Sequence, residues 1–274
     1  MYYRHNLNYK YPERSDEHMI TVKHIRDTHF DEHYKYYNNN FFNKVKRGFL
    51  LVGLYLFGYL ACTIRYGLKI KGRKILKKNK KLFKDGAITI ANHVLMWDYL
   101  CVLKAIRPHL QYHPGWKTNF EGPNGPFIRL VGGIPIPTGN IRAMGKFQKA
   151  IGQVLEDKKW LHFFPEGSMW FYYPDVRPFK KAIFKYSVRY NKPIIPLAFS
   201  FRPRKGIWKL FGKKPLVTLT IGEPILPDTS LELNAAIEKI HKEAYHVMQV
   251  LCGINPGDPT YNTDQNIDSY KKTM

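Results

Sequence analysis

Short apolar runs of strand length alternate along this chain with longer segments of helical spacing. Ala87 to Ala91 follows Gly86 and is β-branched at its centre, which predicts a short buried strand. Trp97 to Ile106 then carries apolar residues at helical spacing and is ended by Pro108. Ala143 to Asp157 repeats the helical pattern through Phe147, Ile151, Val154 and Leu155, and leads into a strand at Trp160 to Phe164. That strand is broken abruptly by Pro165-Glu166-Gly167, as expected where a strand runs into a functional turn. A helical stretch to Tyr190, strands near Ile194 to Phe199 and at Leu216 to Ile221, and a long amphipathic helix from Leu231 to Leu251 complete the pattern. Strands separated by helices predict an α/β fold, a single domain with a central mostly parallel sheet flanked by helices. Pro193, Pro196 and Pro203 predict irregular edges for that sheet, and no internal repeat is present.

One apolar run does not fit the alternation. Phe49 to Ile64 contains no charge, and Lys44, Lys46 and Arg47 precede it while Arg65, Lys69 and Lys71 follow. A core helix seldom carries apolar residues around its whole circumference, so the run predicts an N-terminal membrane-associated helical segment. At about 16 residues it falls short of the roughly 20 that span hydrocarbon, and cations at both ends give no orientation bias. The preferred reading is a helix or helix pair dipping into the cytoplasmic leaflet; a true span and a buried core helix are the alternatives. The expected organisation is a polar extension over 1–43, a membrane-anchoring segment over 44–68, a catalytic domain over 69–252 and a flexible tail over 253–274.

Charge sharpens this picture. The net charge is +23, and residues 1–40 hold six basic and six acidic side chains, leaving 38 against 15 for the remainder. The whole excess therefore sits on the folded part and asks for an anionic partner. The first 40 residues show no secretory pattern, and their histidines (His18, His24, His29, His33) match no zinc template, so a solvated or locally helical extension is expected there and no metal. Cys62, Cys101 and Cys252 are few, odd in number and widely spaced, which fits a reducing compartment and no disulfide framework.

The candidate chemistry begins directly after the first strand. Asn92-His93-Val94-Leu95-Met96-Trp97-Asp98 sets an imidazole five positions before a carboxylate. On a continuous helix that step turns about 500° and separates the two side chains. They meet only if His93 lies in the turn before a helix and Asp98 in its first turns, which is the strand-turn-helix pattern read above. An imidazole held by a carboxylate is a general base near neutral pH. The spacing alone is weak, since about half an occurrence is expected by chance, and on spacing alone a capping histidine beside a helix-start acid is the preferred reading.

Three further blocks add weight. Pro126 to Ile136 contains Gly132-Gly133-Ile134-Pro135, Phe163 to Ser168 contains Phe164-Pro165-Glu166-Gly167, and Pro193-Ile194-Ile195-Pro196 follows. In this order the four blocks resemble the glycerolipid acyltransferase family, whose best-known members are 1-acylglycerol-3-phosphate acyltransferases, from about Lys69 to about Pro227. The resemblance implies that His93 deprotonates an acceptor hydroxyl, which attacks the thioester of acyl-CoA or acyl carrier protein, while Asp98 supports the imidazolium. It implies acceptor binding by Glu166, through hydroxyl contacts, and by Gly167 and Ser168. Asn92, Gly133 and Ile134 enter the substrate site from the other blocks, and Pro193 to Leu197 form a supporting strand. No cofactor is required. The expected partners are a lysolipid acceptor, an acyl-CoA or acyl carrier donor and the lipids of a membrane's cytoplasmic face.

Two positions depart from the family pattern. Thr138 and Met169 stand where the family places arginines that grip the acceptor's phosphate, and neither can supply a planar fork of donors. Lys117, Arg129, Arg142, Arg177, Lys180 and Lys181 are the nearby cations, with Lys117 and Lys180 first among them. The acceptor is then 1-acylglycerol-3-phosphate or another lysophospholipid, a glycolipid or an amino-acid lipid.

Other classes fit less well. No serine has the Gly-x-Ser-x-Gly setting of a hydrolase, and Gly139 to Lys146 has one residue too many between its glycines for a phosphate-binding loop. Basic charge with 15% aromatic residues suits nucleic acid but leaves the Phe49 to Ile64 run unexplained, so no nucleic-acid partner is expected. A catalytically silent membrane scaffold remains the other alternative.

Overall fold

The computed structural model describes residues 3–23 and 26–255. Among the described residues there are seven strands: β1 (Lys69–Lys71), β2 (Ile88–Ala91), β3 (Gln111–Trp116), β4 (Gly133–Ile136), β5 (Trp160–Phe163), β6 (Ile194–Arg202) and β7 (Leu216–Ile221). They form one sheet in the order β1-β7-β6-β2-β5-β3-β4. Every neighbouring pair is parallel except β6 and β7. The fold is therefore a single α/β domain with a mostly parallel sheet flanked by helices.

Side-chain alternation along the central strands feeds two cores. Ile88, Ile90, Ile194 and Ala198 face one layer, built with the helices Ile141–Glu156, Phe184–Tyr190 and Leu233–Cys252. Ala87, Ala91, Ile195, Leu197 and Phe199 face the other, against Cys62 and Tyr66 and the helix Asp98–Ile106. Both faces are covered, which is why these strands read as apolar runs rather than as an alternation of apolar and polar residues. All three cysteines are buried and free.

The expected irregular edge at Pro196 is not found. Pro196 lies inside β6, third strand from the edge, paired with Ile90 of β2. The pairing with β7 stops at Leu197–Ile221, and Pro196 accepts the Gly222 amide at 2.9 Å. The residue with no N–H to give sits where the β7 ladder ends, which makes a proline tolerable in a central strand.

The N-terminal apolar segment is longer than its uncharged run. Helix begins at Phe41, capped by the Asn40 side chain on the Asn43 amide, passes through a π segment at Leu54–Gly58 and ends at Tyr66 with Gly67 in the left-handed conformation. Phe41–Tyr66 spans 26 residues and is long and apolar enough to cross a bilayer. Phe49, Phe57 and Ile64 point outward at 75%, 73% and 63% exposure. Leu54, Tyr59, Cys62 and Tyr66 face inward, and so does Arg47, whose guanidinium bonds the Gln111 carbonyl at 2.8 Å and lies 4.0 Å over the Tyr112 ring, pinning the start of the helix to β3.

The described residues of the first 40 are not helical and are only partly solvated. They run as an irregular strap across the domain, and its side chains dock one by one. Arg4 pairs with Asp175, Tyr9 stacks on Tyr172, Tyr11 on Trp170, and Phe30 and Tyr36 are buried in the first core. Tyr37 donates to Asp157 at 2.7 Å. His24 and the tail beyond Asn255 lie outside the described residues.

Candidate active site

β2 and β5 are adjacent and parallel, so the turns that leave their carboxyl ends share one edge of the sheet. That edge is where open α/β sheets present ligands. After β2 the chain turns through Asn92 to Trp97 and enters the helix Asp98–Ile106, the geometry that a five-residue His-to-Asp step requires. His93 Nδ1 lies 2.5 Å from Asp98 Oδ2. Asp98 is almost fully enclosed and held on both oxygens, since Oδ1 accepts the Tyr99 amide at 2.7 Å and Oδ2 also accepts that of Leu95 at 3.4 Å. The His93 side chain is 24% exposed and stacks on Phe164, with ring centroids 3.9 Å apart. With Nδ1 occupied by the carboxylate, Nε2 is the nitrogen left to take a proton.

The second turn fixes the first. Glu166 is buried, and its Oε2 accepts the backbone N–H of His93 at 3.0 Å. The same carboxylate accepts the Arg177 amide at 2.9 Å through Oε1 and the Arg177 guanidinium at 2.7 Å through Oε2. Arg177 is itself fully buried and also donates to Ser168 Oγ at 2.7 Å. On the other side of His93, its carbonyl accepts the Trp170 amide at 3.0 Å. Sequence reasoning gave Glu166 hydroxyl contacts and named Arg177 only as a spare cation. In the structure the two pair with each other, and Glu166 also holds the His93 backbone N–H. Nothing in the spacing marks Arg177, which enters from a loop beyond the turn.

The other expected substrate residues divide into two groups. Asn92 is buried, and its amide group makes two bonds to the Phe199 backbone, at 3.0 and 2.7 Å, which join the end of β2 to β6. Gly133 and Ile134 are buried in β4, and a Cβ at Gly133 would stand 2.6 Å from the Ile128 carbonyl. Ser168 is enclosed by Arg177 and the Ser15 carbonyl. These four are buried and held by contacts within the chain. Gly167, Lys117 and Lys180 remain at the surface. Gly167 has φ +80, a backbone conformation that favours glycine, whereas a Cβ there would meet only the movable end of the Lys180 side chain.

The cations proposed to replace the missing arginines are mostly engaged. Lys117 faces Glu121 at 3.3 Å, Lys180 faces Asp16 at 3.6 Å, and Lys181 bonds Glu238 at 2.7 Å. Arg129 lies 4.8 Å over the Tyr34 ring and bonds the Lys35 carbonyl. Arg142, next to the start of the helix Ile141–Glu156, is exposed.

The strap passes over this same edge, which sequence reasoning missed. The Ser15 carbonyl accepts from Arg177 at 2.6 Å, the Glu17 carbonyl from the Trp170 indole at 2.9 Å, and His18 stacks on Trp116 at 3.9 Å. Burial and then the charge of His93 hold the His18 imidazole below its ordinary range. The available signal was compositional, because Tyr3, Tyr9, Tyr11, Phe30, Tyr34, Tyr36 and Tyr37 are too many aromatics for a solvated extension.

Beneath the dyad lies a buried polar layer of Thr89, Gln111, His113 and His162. Thr89 donates its one hydroxyl proton to Gln111 Oε1 at 2.7 Å and so accepts at 2.8 Å from His162 Nδ1, which fixes the His162 tautomer. Burial pushes His113 down to about 3 and His162 well below its ordinary range, so both are neutral at physiological pH. Among the described residues no group of His, Cys, Asp and Glu side chains could hold a metal ion.

Comparison with known proteins bears on the same region. Residues 68–200 match the Acyltransferase family model. The fold is similar to the crystal structure of the 1-acyl-sn-glycerophosphate (LPA) acyltransferase PlsC from Thermotoga maritima, with a TM-score of 0.53, 20% identity, and coverage of 75% of this chain and 80% of that one. No curated protein matches the chain.

Proposed function

We propose that this chain, which belongs to the glycerolipid acyltransferase family, moves a fatty acyl group from acyl-CoA or acyl carrier protein to the hydroxyl of a lysolipid. The observation that carries the mechanism is the 2.5 Å contact between His93 Nδ1 and a fully held Asp98 carboxylate, at the sheet edge and with Nε2 left over. His93 Nε2 takes the acceptor's hydroxyl proton as the oxygen attacks the thioester carbonyl. The C–S bond then breaks, and the departing thiolate recovers the proton from the imidazolium. Asp98 stabilises the imidazolium between the two steps, and no acyl-enzyme forms.

The first acceptor to test is 1-acylglycerol-3-phosphate. A second reading, an acceptor with a different headgroup, is favoured by Thr138 and Met169 and by the engagement of Lys117, Arg177, Lys180 and Lys181 with carboxylates of the chain itself. The helix Phe41–Tyr66 lies in the cytoplasmic leaflet and brings the catalytic edge to lipid substrates, a reading supported by its outward Phe49, Phe57 and Ile64. Acyl transfer measured over a panel of lysolipids, with each donor, tests both statements. Transfer to none of them sinks the reaction assignment, whereas a clear preference for 1-acylglycerol-3-phosphate removes the second reading.

A further inference from the structure

The segment joining β6 to β7 takes no part in the chemistry above. Gly206–Phe211 is a short 3-10 turn, and Ile207, Leu210 and Phe211 point outward at 67%, 82% and 67% exposure. The loop is built rather than loose: Arg204 clamps its two sides, donating to the Trp208 carbonyl at 2.8 Å and to the Lys214 carbonyl. From Arg202 to Gly222 the chain carries Arg202, Arg204, Lys205, Lys209, Lys213 and Lys214 and no carboxylate. Large apolar side chains held outward among cations alone form a contact for an anionic, apolar-cored surface.

Position supports the same reading. β6 runs parallel to β2, so the loop leaves the sheet at the edge that carries His93. Phe199, bonded to Asn92 beside His93, precedes Arg202 by three residues, and Arg202 donates to the carbonyl of Gly67 just past the helix Phe41–Tyr66. At that helix end Tyr66 accepts the Trp97 amide, one residue before Asp98. The end of the apolar helix, the dyad turn and the apolar loop thus adjoin along one edge.

We propose that the β6–β7 loop is a second membrane-contact element, which seats Ile207, Leu210 and Phe211 in an anionic bilayer with Lys205, Lys209, Lys213 and Lys214 at the phosphates. The inference rests on the reading of Phe41–Tyr66 as a membrane element and deepens it: two contacts, rather than one helix, set how the catalytic edge faces the lipid.

The test uses the full chain with sedimentable vesicles of phosphatidylcholine, alone or mixed with phosphatidylglycerol, over a series of salt concentrations. Ile207→Ser/Leu210→Ser/Phe211→Ser is expected to bind the mixed vesicles about tenfold more weakly than the parent, with unchanged thermal melting. Lys205→Gln/Lys209→Gln/Lys213→Gln/Lys214→Gln is expected to lose most of the preference for phosphatidylglycerol and its salt dependence. A triple serine variant that binds as tightly as the parent overturns the proposal. It is equally overturned if the triple variant breaks a dimer while vesicle binding is unchanged, because the loop then serves a second copy of the chain. Binding is read without turnover, so a parent that partitions as expected but transfers no acyl group sinks the enzymatic reading and leaves the loop assignment standing.

Discussion

Two turns leave the same edge of the sheet, and their polar groups are used in opposite ways. In the turn after β2, the His93 ring keeps one nitrogen unspent and part of its surface in contact with solvent. In the turn after β5, Glu166 is wholly enclosed and bonds the backbone of His93 and the equally enclosed Arg177, which reaches in from the following loop and also holds Ser168. A motif residue can therefore matter through reactivity or through position. Burial separates the two cases better than residue type does.

The comparison predicts different failures for the two turns. Arg177→Ala leaves the Glu166 carboxylate buried without its partner, which should cost about 3–5 kcal/mol of stability, read as a large fall in the melting temperature together with lost activity. Asp98→Asn keeps the shape of the dyad but removes the charge that holds the imidazolium. It should lower the rate of acyl transfer by roughly a hundredfold while the melting temperature moves little. If Arg177→Ala instead melts like the parent while transfer fails, Arg177 belongs with the reactive turn, and the contrast breaks.

The buried layer under the dyad adds a pH signature. His113 and His162 are held below their ordinary range by burial, His113 at about 3, whereas the unfolded chain takes up their protons near 6.5. The folded state therefore binds fewer protons below about pH 6.5; the His113 contribution is complete above that pH and falls as the pH drops towards 3, by up to about 1.4 kcal/mol per pH unit, and His162 acts in the same direction. Denaturant midpoints across that range should fall for the parent and fall less for His113→Gln, provided the variant folds. The smallest effect is expected at the rim. Lys180→Gln removes an exposed charge facing Asp16 and should change the KM for an anionic acceptor only a few-fold, leaving kcat nearly unaltered.

Much of the sheet was legible because buried parallel strands read as apolar runs between helices of clear period. The pairing of His93 with Asp98 was legible for a related reason, since a strand-turn-helix pattern constrains where five residues can go. The partner of Glu166 was not, because Arg177 reaches it from an irregular loop whose path no periodicity encodes. The strap was hidden for the same cause: Tyr9, Tyr11 and His18 dock singly on Tyr172, Trp170 and Trp116, and single docked aromatics leave no repeat to read. Pro196 misled in the other direction, because a proline suits a central strand at the position where one neighbour's ladder ends.

The central claim is that His93 is the reacting group and that its neighbours only hold it. Initial rates of acyl transfer to a lysolipid by His93→Ala, beside the parent and at matched folded protein, test it most directly. The account predicts a loss of about a thousandfold with the melting temperature preserved. Transfer by His93→Ala at the parent's rate would contradict it.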